Sequence, residues 1–184
     1  MDRIGVLALQ GAFIVHIKTL RSLGVDAVEV RLPQELENLS GLIIPGGEST
    51  TVGKLAITYG LVEPIKEMAS GGKPVWGTCA GLIFLAQRVE GIEQPLLAVM
   101  DLTVARNAFG RQVESFEAEI SVPALDAVSQ PDERGRLFHA TFIRAPLITA
   151  VGDGVSVLSR LDNGGIVAAR QGNLLVTAFH PELT

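Results

Sequence analysis

The residues best suited to chemistry in this chain are one cysteine, one histidine and one glutamate. Cys79 is the only cysteine among 184 residues, and it stands in Gly77-Thr78-Cys79-Ala80-Gly81 with a glycine two positions to either side. An apolar run from Pro74 to Trp76 precedes it, and Leu82, Leu85, Ala86 and Val89 follow at helical spacings of three and four. A Gly-x-nucleophile-x-Gly turn between a strand and a helix presents its central side chain at the end of a sheet. Here that side chain is a thiol, and a helix N-terminus beneath it favours the nucleophilic thiolate. The plainer alternative is a buried cysteine acting as a small hydrophobe. The two glycines favour the nucleophile.

A thiol nucleophile needs a base, a group to orient that base, and donors for the oxyanion. Of the histidines, His16 falls on the first predicted helix and His139 beside a charged loop, so both are expected at the surface. His180 ends the apolar run from Leu174 to Phe179 and is followed by Pro181 and Glu182. In extended chain, residues two apart point to one side, so Glu182 can hold the imidazole as the third member of a triad. Taken alone, the pair reads more simply as a solvated histidine and a surface glutamate. Gly46-Gly47, after an apolar run, would let backbone N–H groups approach an oxyanion, and the N–H of Ala80 would be the second donor. Arg106 and Arg144 could each clamp a carboxylate, although an isolated arginine is more often a surface ion pair.

The elements that must position these groups follow from hydrophobic periodicity. Ile4 to Leu9 reads as a strand buried on both faces, and Phe13 to Leu23 as a helix stopped by Gly24. Strands over Ala27 to Leu32 and Gly41 to Ile44, with a short helix near Gln34 to Leu39 between them, lead to Pro45-Gly46-Gly47. Helices from Ser49 and over Val62 to Ala69 come next, then the Cys79 turn. This alternation predicts a doubly wound, mostly parallel α/β sheet. In the second half, short strands are predicted at 102–106, 116–122, 141–143, 156–161, 166–170 and 174–178. Hairpin turns at Asn163-Gly164-Gly165 and Gln171-Gly172-Asn173 make these mixed or antiparallel. Asp126 to Arg136 reads as a surface loop. Ligands of such sheets bind beyond the carboxyl ends of the strands. Gln10-Gly11, Gly46 to Ser49 and Gly77 to Gly81 should therefore share one rim.

Composition narrows the class. The chain is 47% hydrophobic and 19% charged, with a mean hydropathy of +0.36, so either burial is unusually complete or part of the surface is destined for a partner. A net charge of -5 and no basic cluster argue against nucleic acid. A lone cysteine points to a reducing, cytoplasmic setting. Ile4 to Leu9 could pass for a signal segment, but no small-x-small cleavage site follows it, and a buried strand is the better reading. No apolar run approaches the ~18 residues of a membrane span. One domain over 1–184 accommodates everything.

Taken together, these motifs resemble a known family. Leu9-Gln-Gly-Ala12, Pro45-Gly-Gly-Glu-Ser-Thr-Thr51, Gly77 to Ile83, Arg106-Asn-Ala-Phe-Gly-Arg-Gln112, Ser115-Phe-Glu117, Phe142-Ile-Arg-Ala-Pro146 and His180-Pro-Glu182 occur in order along nearly the whole chain. The sequence resembles the glutaminase subunits of ribose 5-phosphate-dependent pyridoxal 5'-phosphate synthases, within the class I, triad-type glutamine amidotransferases. The resemblance implies a flavodoxin-like fold with added antiparallel strands, and hydrolysis of L-glutamine to glutamate and ammonia without metal or organic cofactor. It implies a hetero-oligomeric complex with a synthase (lyase) subunit that takes the ammonia, and no nucleic acid or membrane. By the same resemblance Cys79, His180 and Glu182 are the triad; Gly47, Glu48, Ser49, Arg106, Ile143 and Arg144 contact glutamine; and Gln10 neighbours the oxyanion site. The sequence departs from the family at Phe13-Ile-Val-His16, where charged residues are usual before the histidine. It also departs in a longer Asp126 to Arg136 region, and in stopping at Thr184 where the family runs on into a last helix.

Other readings remain open at this point: a glutaminase serving a different synthase, a stand-alone γ-glutamyl cysteine hydrolase, or a non-catalytic flavodoxin-like module. The Gly46-Gly47 peptide can turn at little steric cost. The isolated chain is accordingly expected to have an incomplete oxyanion hole that docking of the synthase completes.

Overall fold

The first apolar run forms strand β1 (Arg3–Leu7), whose Val6 and Leu7 are sealed from solvent on opposite faces. The computed structural model describes residues 2–109 and 115–183. Helix α1 (Phe13–Ser22), β2 (Asp26–Val30), β3 (Gly41–Ile44), helices α2 (Ser49–Thr58) and α3 (Val62–Ser70), β4 (Val75–Thr78) and helix α4 (Ala80–Leu85) follow. The second half contributes β5 (Ala86–Val89), β6 (Met100–Ala105), β7 (Ser115–Ile120), β8 (Phe138–Ile143), β9 (Leu147–Val151), β10 (Ser156–Arg160), β11 (Ile166–Gln171) and β12 (Leu174–Thr177).

Among the described residues one sheet has the order β2-β1-β3-β4-β12-β11-β9-β6-β5, with β10 paired to β11. The first five strands are mutually parallel, and with β12 in fifth place they have the flavodoxin-like 2-1-3-4-5 order. From β12 onward the pairings turn antiparallel through β11, β9 and β6, and only β5 returns to parallel. Strands β7 and β8 form a separate antiparallel ribbon. The doubly wound sheet with antiparallel additions is therefore the architecture, as the sequence predicts.

The core lies on both faces of the parallel half. Under α1, Val6, Ile17, Ala27 and Ile43 pack together; on the other face Leu7, Leu42, Ile44, Leu82 and Phe84 join a larger cluster. Helix α4 touches the sheet directly: a Cβ on Gly81 would stand 2.0 Å from the carbonyl oxygen of Ile44, so only glycine fits there. Aromatic rings brace the ribbon against the end of β12. Phe116 and Phe142 stack at 4.6 Å, and Phe142 meets Phe179 edge-on at 5.7 Å.

Two expectations need correction. The helix after Cys79 ends at Leu85, and Ala86 and Val89 belong to β5, because pairing with β6 outweighs a spacing that suits either conformation. Strand β9 was not expected, since Pro146 and the shortness of the run masked it. The Asp126 to Arg136 stretch does lie at the surface. No helix among the described residues is long and apolar enough to cross a membrane.

Candidate active site

Strands β4 and β12 run side by side with Thr78 opposite Thr177, so the residues leaving both strands emerge at one rim. Cys79 leaves β4 at φ +49°, ψ -101°, a conformation that L-residues rarely adopt, and its N–H donates to the carbonyl of Thr177 at 2.9 Å. The thiol rests 3.8 Å from the carbonyl oxygen of Ile143 at the end of β8. His180 follows β12 closely, and its N–H donates to the carbonyl of Thr141 on β8 at 2.8 Å. Nδ1 of His180 lies 2.8 Å from Oε1 of Glu182, whose side chain is fully buried.

These groups hold one another's charge. Burial opposes protonation of His180, but hydrogen bonds to Cys79 and Glu182 and their charges outweigh it, raising the imidazole from 6.5 to about 10. Burial likewise opposes ionisation of Glu182, yet the close approach of His16 and the hydrogen bond to His180 bring its carboxyl down to about 2. The arrangement is a buried carboxylate, an imidazole and a cysteine sulfur in sequence. That order suits general acid–base assistance to a sulfur nucleophile.

The thiol opens into a cleft of about 450 Å³, at the point where Gln10 leaves β1 and Gly46 leaves β3. Gln10, Gly47, Glu48, Ser49, Arg106, Ile143 and Arg144 line it together with Cys79, Ala80 and His180. Every substrate-contact residue expected from the sequence therefore borders the same space. Gly46 sits behind Gly47, its carbonyl accepting from the N–H of Ala12 at 2.9 Å. Oε1 of Gln10 accepts from the N–H of Glu48 at 2.8 Å. Glu48 caps α2, accepting from the N–H groups of Thr50 and Thr51 at 3.1 and 2.7 Å. The Thr51 hydroxyl, more than any other partner, brings the Glu48 carboxyl down to about 2, and Arg106 pairs with it at 3.2 Å. Of the non-glycine residues with positive φ among those described, Cys79, Asn107 and Arg144 all border this cleft. Backbone strain is concentrated where the side chains must be aimed.

Some residues were not anticipated. Asn107 and Ile83 also line the cleft, and Gln94 stands behind it, accepting from Arg106 at 3.0 Å. Nothing in the sequence sets Asn107 apart from the rest of its motif, and Gln94 lies in an irregular stretch with no periodic signal. Of the same motif, Gly110, Arg111 and Gln112 lie outside the described residues. His16 corrects an expectation: it is buried, not at the surface, with Nε2 3.2 Å from Oε2 of Glu182. His139 is exposed as expected, flanked by Glu117 and Glu119.

A family model matches residues 6–184, and its description is the SNO glutamine amidotransferase family. The chain belongs to that family. Among similar curated proteins, pyridoxal 5'-phosphate synthase subunit PdxT of Herpetosiphon aurantiacus is 57% identical over 98% of this chain and 93% of its own length. The PdxT subunit of Dehalococcoides mccartyi is 56% identical over 99% of this chain and 90% of its own length. Among solved structures, a glutamine amidotransferase superposes with a TM-score of 0.89 at 49% identity, covering 98% of this chain and 91% of that one. A chain of PurLQS from Thermotoga maritima shares the fold at a TM-score of 0.72 and 17% identity, covering 98% of this chain and 88% of that one. In this SNO-family chain, then, the cleft with Cys79 at its base is the candidate active site.

Proposed function

We propose that the chain is, as one domain over 1–184, the glutaminase subunit of a pyridoxal 5'-phosphate synthase. The observation that carries this reading is the Cys79, His180, Glu182 array at the base of a cleft bordered by Gly47, Glu48, Ser49, Arg106, Ile143 and Arg144. The identity to subunits named for that synthase supports the choice over a glutaminase of another synthase or a stand-alone γ-glutamyl hydrolase.

In this reading the α-carboxylate and amine of L-glutamine are held at the mouth of the cleft by the arginines and by the Gly47 to Ser49 turn. The side-chain amide lies against Cys79. The Cys79 thiol passes its proton to His180, the sulfur attacks the amide carbon, and the oxyanion forms among the Gly46-Gly47 peptide, Gln10 and the N–H of Ala80. His180 gives its proton to the leaving nitrogen, so ammonia departs and a γ-glutamyl thioester remains. Water, its proton taken by His180, then attacks the thioester, releasing glutamate and restoring the thiol. Glu182 keeps the imidazole oriented and its positive charge balanced. No cofactor enters these steps. The ammonia passes to a synthase subunit in a cytoplasmic hetero-oligomeric complex that forms pyridoxal 5'-phosphate from ribose 5-phosphate and glyceraldehyde 3-phosphate.

Steady-state ammonia release from glutamine, by the chain alone and with saturating synthase subunit, tests the reading. Docking is expected to complete the oxyanion hole and raise kcat by about 10²–10³, the worth of one such donor. A chain that releases no ammonia in either state is not a glutaminase. Full activity alone, unchanged by the partner, removes the coupling to the synthase.

A further inference from the structure

His16 is a buried ionisable side chain that the thiol chemistry leaves unused. It is 4% exposed, and its Nε2 lies 3.2 Å from Oε2 of Glu182 and 3.4 Å from Oγ1 of Thr78, the residue before the nucleophile. Its position on α1 belongs to the inward stripe of Phe13, Ile17 and Leu20, which pack under the sheet. Leucine there would complete the stripe with no polar group to satisfy. The ring instead meets the carboxylate.

Glu182 is thereby held at both oxygens, Oε1 by Nδ1 of His180 at 2.8 Å and Oε2 by His16. Oε2 is sealed from solvent and has no well-aligned hydrogen bond among the described residues, so the approach of His16 answers its charge. Without that contact a buried carboxylate rotates or takes up a proton, and either change releases His180. Ala12, the residue that caps α1, donates its N–H to the carbonyl of Gly46. The helix and its cap residue thus contact both the Gly46-Gly47 turn and the Glu182 carboxylate.

We propose that His16 is a positioning residue for the reaction, donating from Nε2 to Oε2 of Glu182 and so fixing the carboxylate that orients His180. The proposal rests on the glutaminase reading. It adds to the triad a group that never touches substrate and acts only through Glu182.

The experiment measures kcat and KM for glutamine with the wild type, His16→Leu, His16→Gln and His16→Asn, each saturated with synthase subunit, and Tm for each free chain. A glutamine amide reaches about as far as Nε2, whereas an asparagine amide stops short. His16→Leu and His16→Asn are expected to lose about 10-fold or more in kcat with little change in KM, and His16→Gln to recover most of it. A merely structural role would lower Tm while the folded variants kept wild-type kcat, and that result overturns the proposal. So does a glutamine variant no more active than the asparagine one, a comparison that holds even if the leucine variant fails to fold. Wild-type complex that releases no ammonia defeats the glutaminase reading itself; active wild type with fully active His16→Leu defeats only the role of His16.

Discussion

Gly46 lies against the imidazole of His180 so closely that a Cβ added to it would stand 2.5 Å from Cε1 and 3.4 Å from the Cβ of Cys79. The Gly46-Gly47 turn and the His180 ring are therefore packed against each other, not merely near. Gly46→Ala must push the ring aside or tilt the turn, and a displacement of about 1 Å can cost about 100-fold in rate. The variant should fold, bind glutamine with near-normal KM, and lose about 100-fold in kcat. Wild-type kcat in Gly46→Ala would show that the turn and the ring move independently.

Cys79→Ala and Cys79→Ser should release no ammonia while keeping the fold, and a glutamine-like diazo-ketone should label Cys79 alone in the wild type. Stability gives a second check. Because residue 79 sits at φ +49°, Cys79→Gly should be more stable than Cys79→Ala by about 1 kcal/mol, the reverse of the order inside a regular helix. Chemical denaturation of the two variants measures the difference, and alanine proving the more stable would mean that the turn carries no strain.

The linked charges set a pH window. His180 is raised from 6.5 to about 10, so its contribution to stability is whole below 6.5 and is lost as pH climbs through 10. Glu182 is lowered from 4.5 to about 2, so its contribution is whole above 4.5 and is lost as pH falls through 2. Cys79→Ala removes a group that raises His180, and should draw the alkaline limb of the Tm profile toward lower pH. Superimposable alkaline limbs in the two proteins would refute the coupling.

Arg106 is held by Thr50, Gln94 and Glu48 at 3.2, 3.0 and 3.2 Å, an arrangement that aims its fork and that a lysine cannot reproduce. Arg106→Lys, Arg106→Ala and Arg144→Ala should raise KM for glutamine by about 10-fold or more with a smaller effect on kcat. Unaltered affinity in a binding titration of all three would place the substrate carboxylate elsewhere.

The Cys79 turn is legible because a cysteine between two glycines has few structural uses, and local sequence alone dictates the turn. His180 and Glu182 are legible as a pair only through the family motif, since nothing local tells a histidine at a strand end that it will be buried. The burial of His16 is hidden for a physical reason. Phe13, His16, Ile17 and Leu20 follow the spacing of an inward stripe, but Ile14 and Val15, which are exposed, blur it. Weighing the stripe by period and not by hydrophobicity places His16 inside. Gln94 has no such signal, because its role exists only once the chain has folded back on Arg106.

Strands β4 and β12 are neighbours in space although far apart along the chain; the hydrogen bond from Trp76 to Thr177, 3.2 Å long, spans 101 positions. Contacts of such separation close the largest loops and are made late in folding. β12 also joins the parallel half of the sheet to the antiparallel half, so its insertion completes the sheet. Cys79 and His180 follow the C-terminal ends of these two strands. Until β12 is in place, a partly folded chain is expected to hold the Cys79 thiol with no His180 beside it, so the pairing of the two comes in the same event that joins the two halves of the sheet.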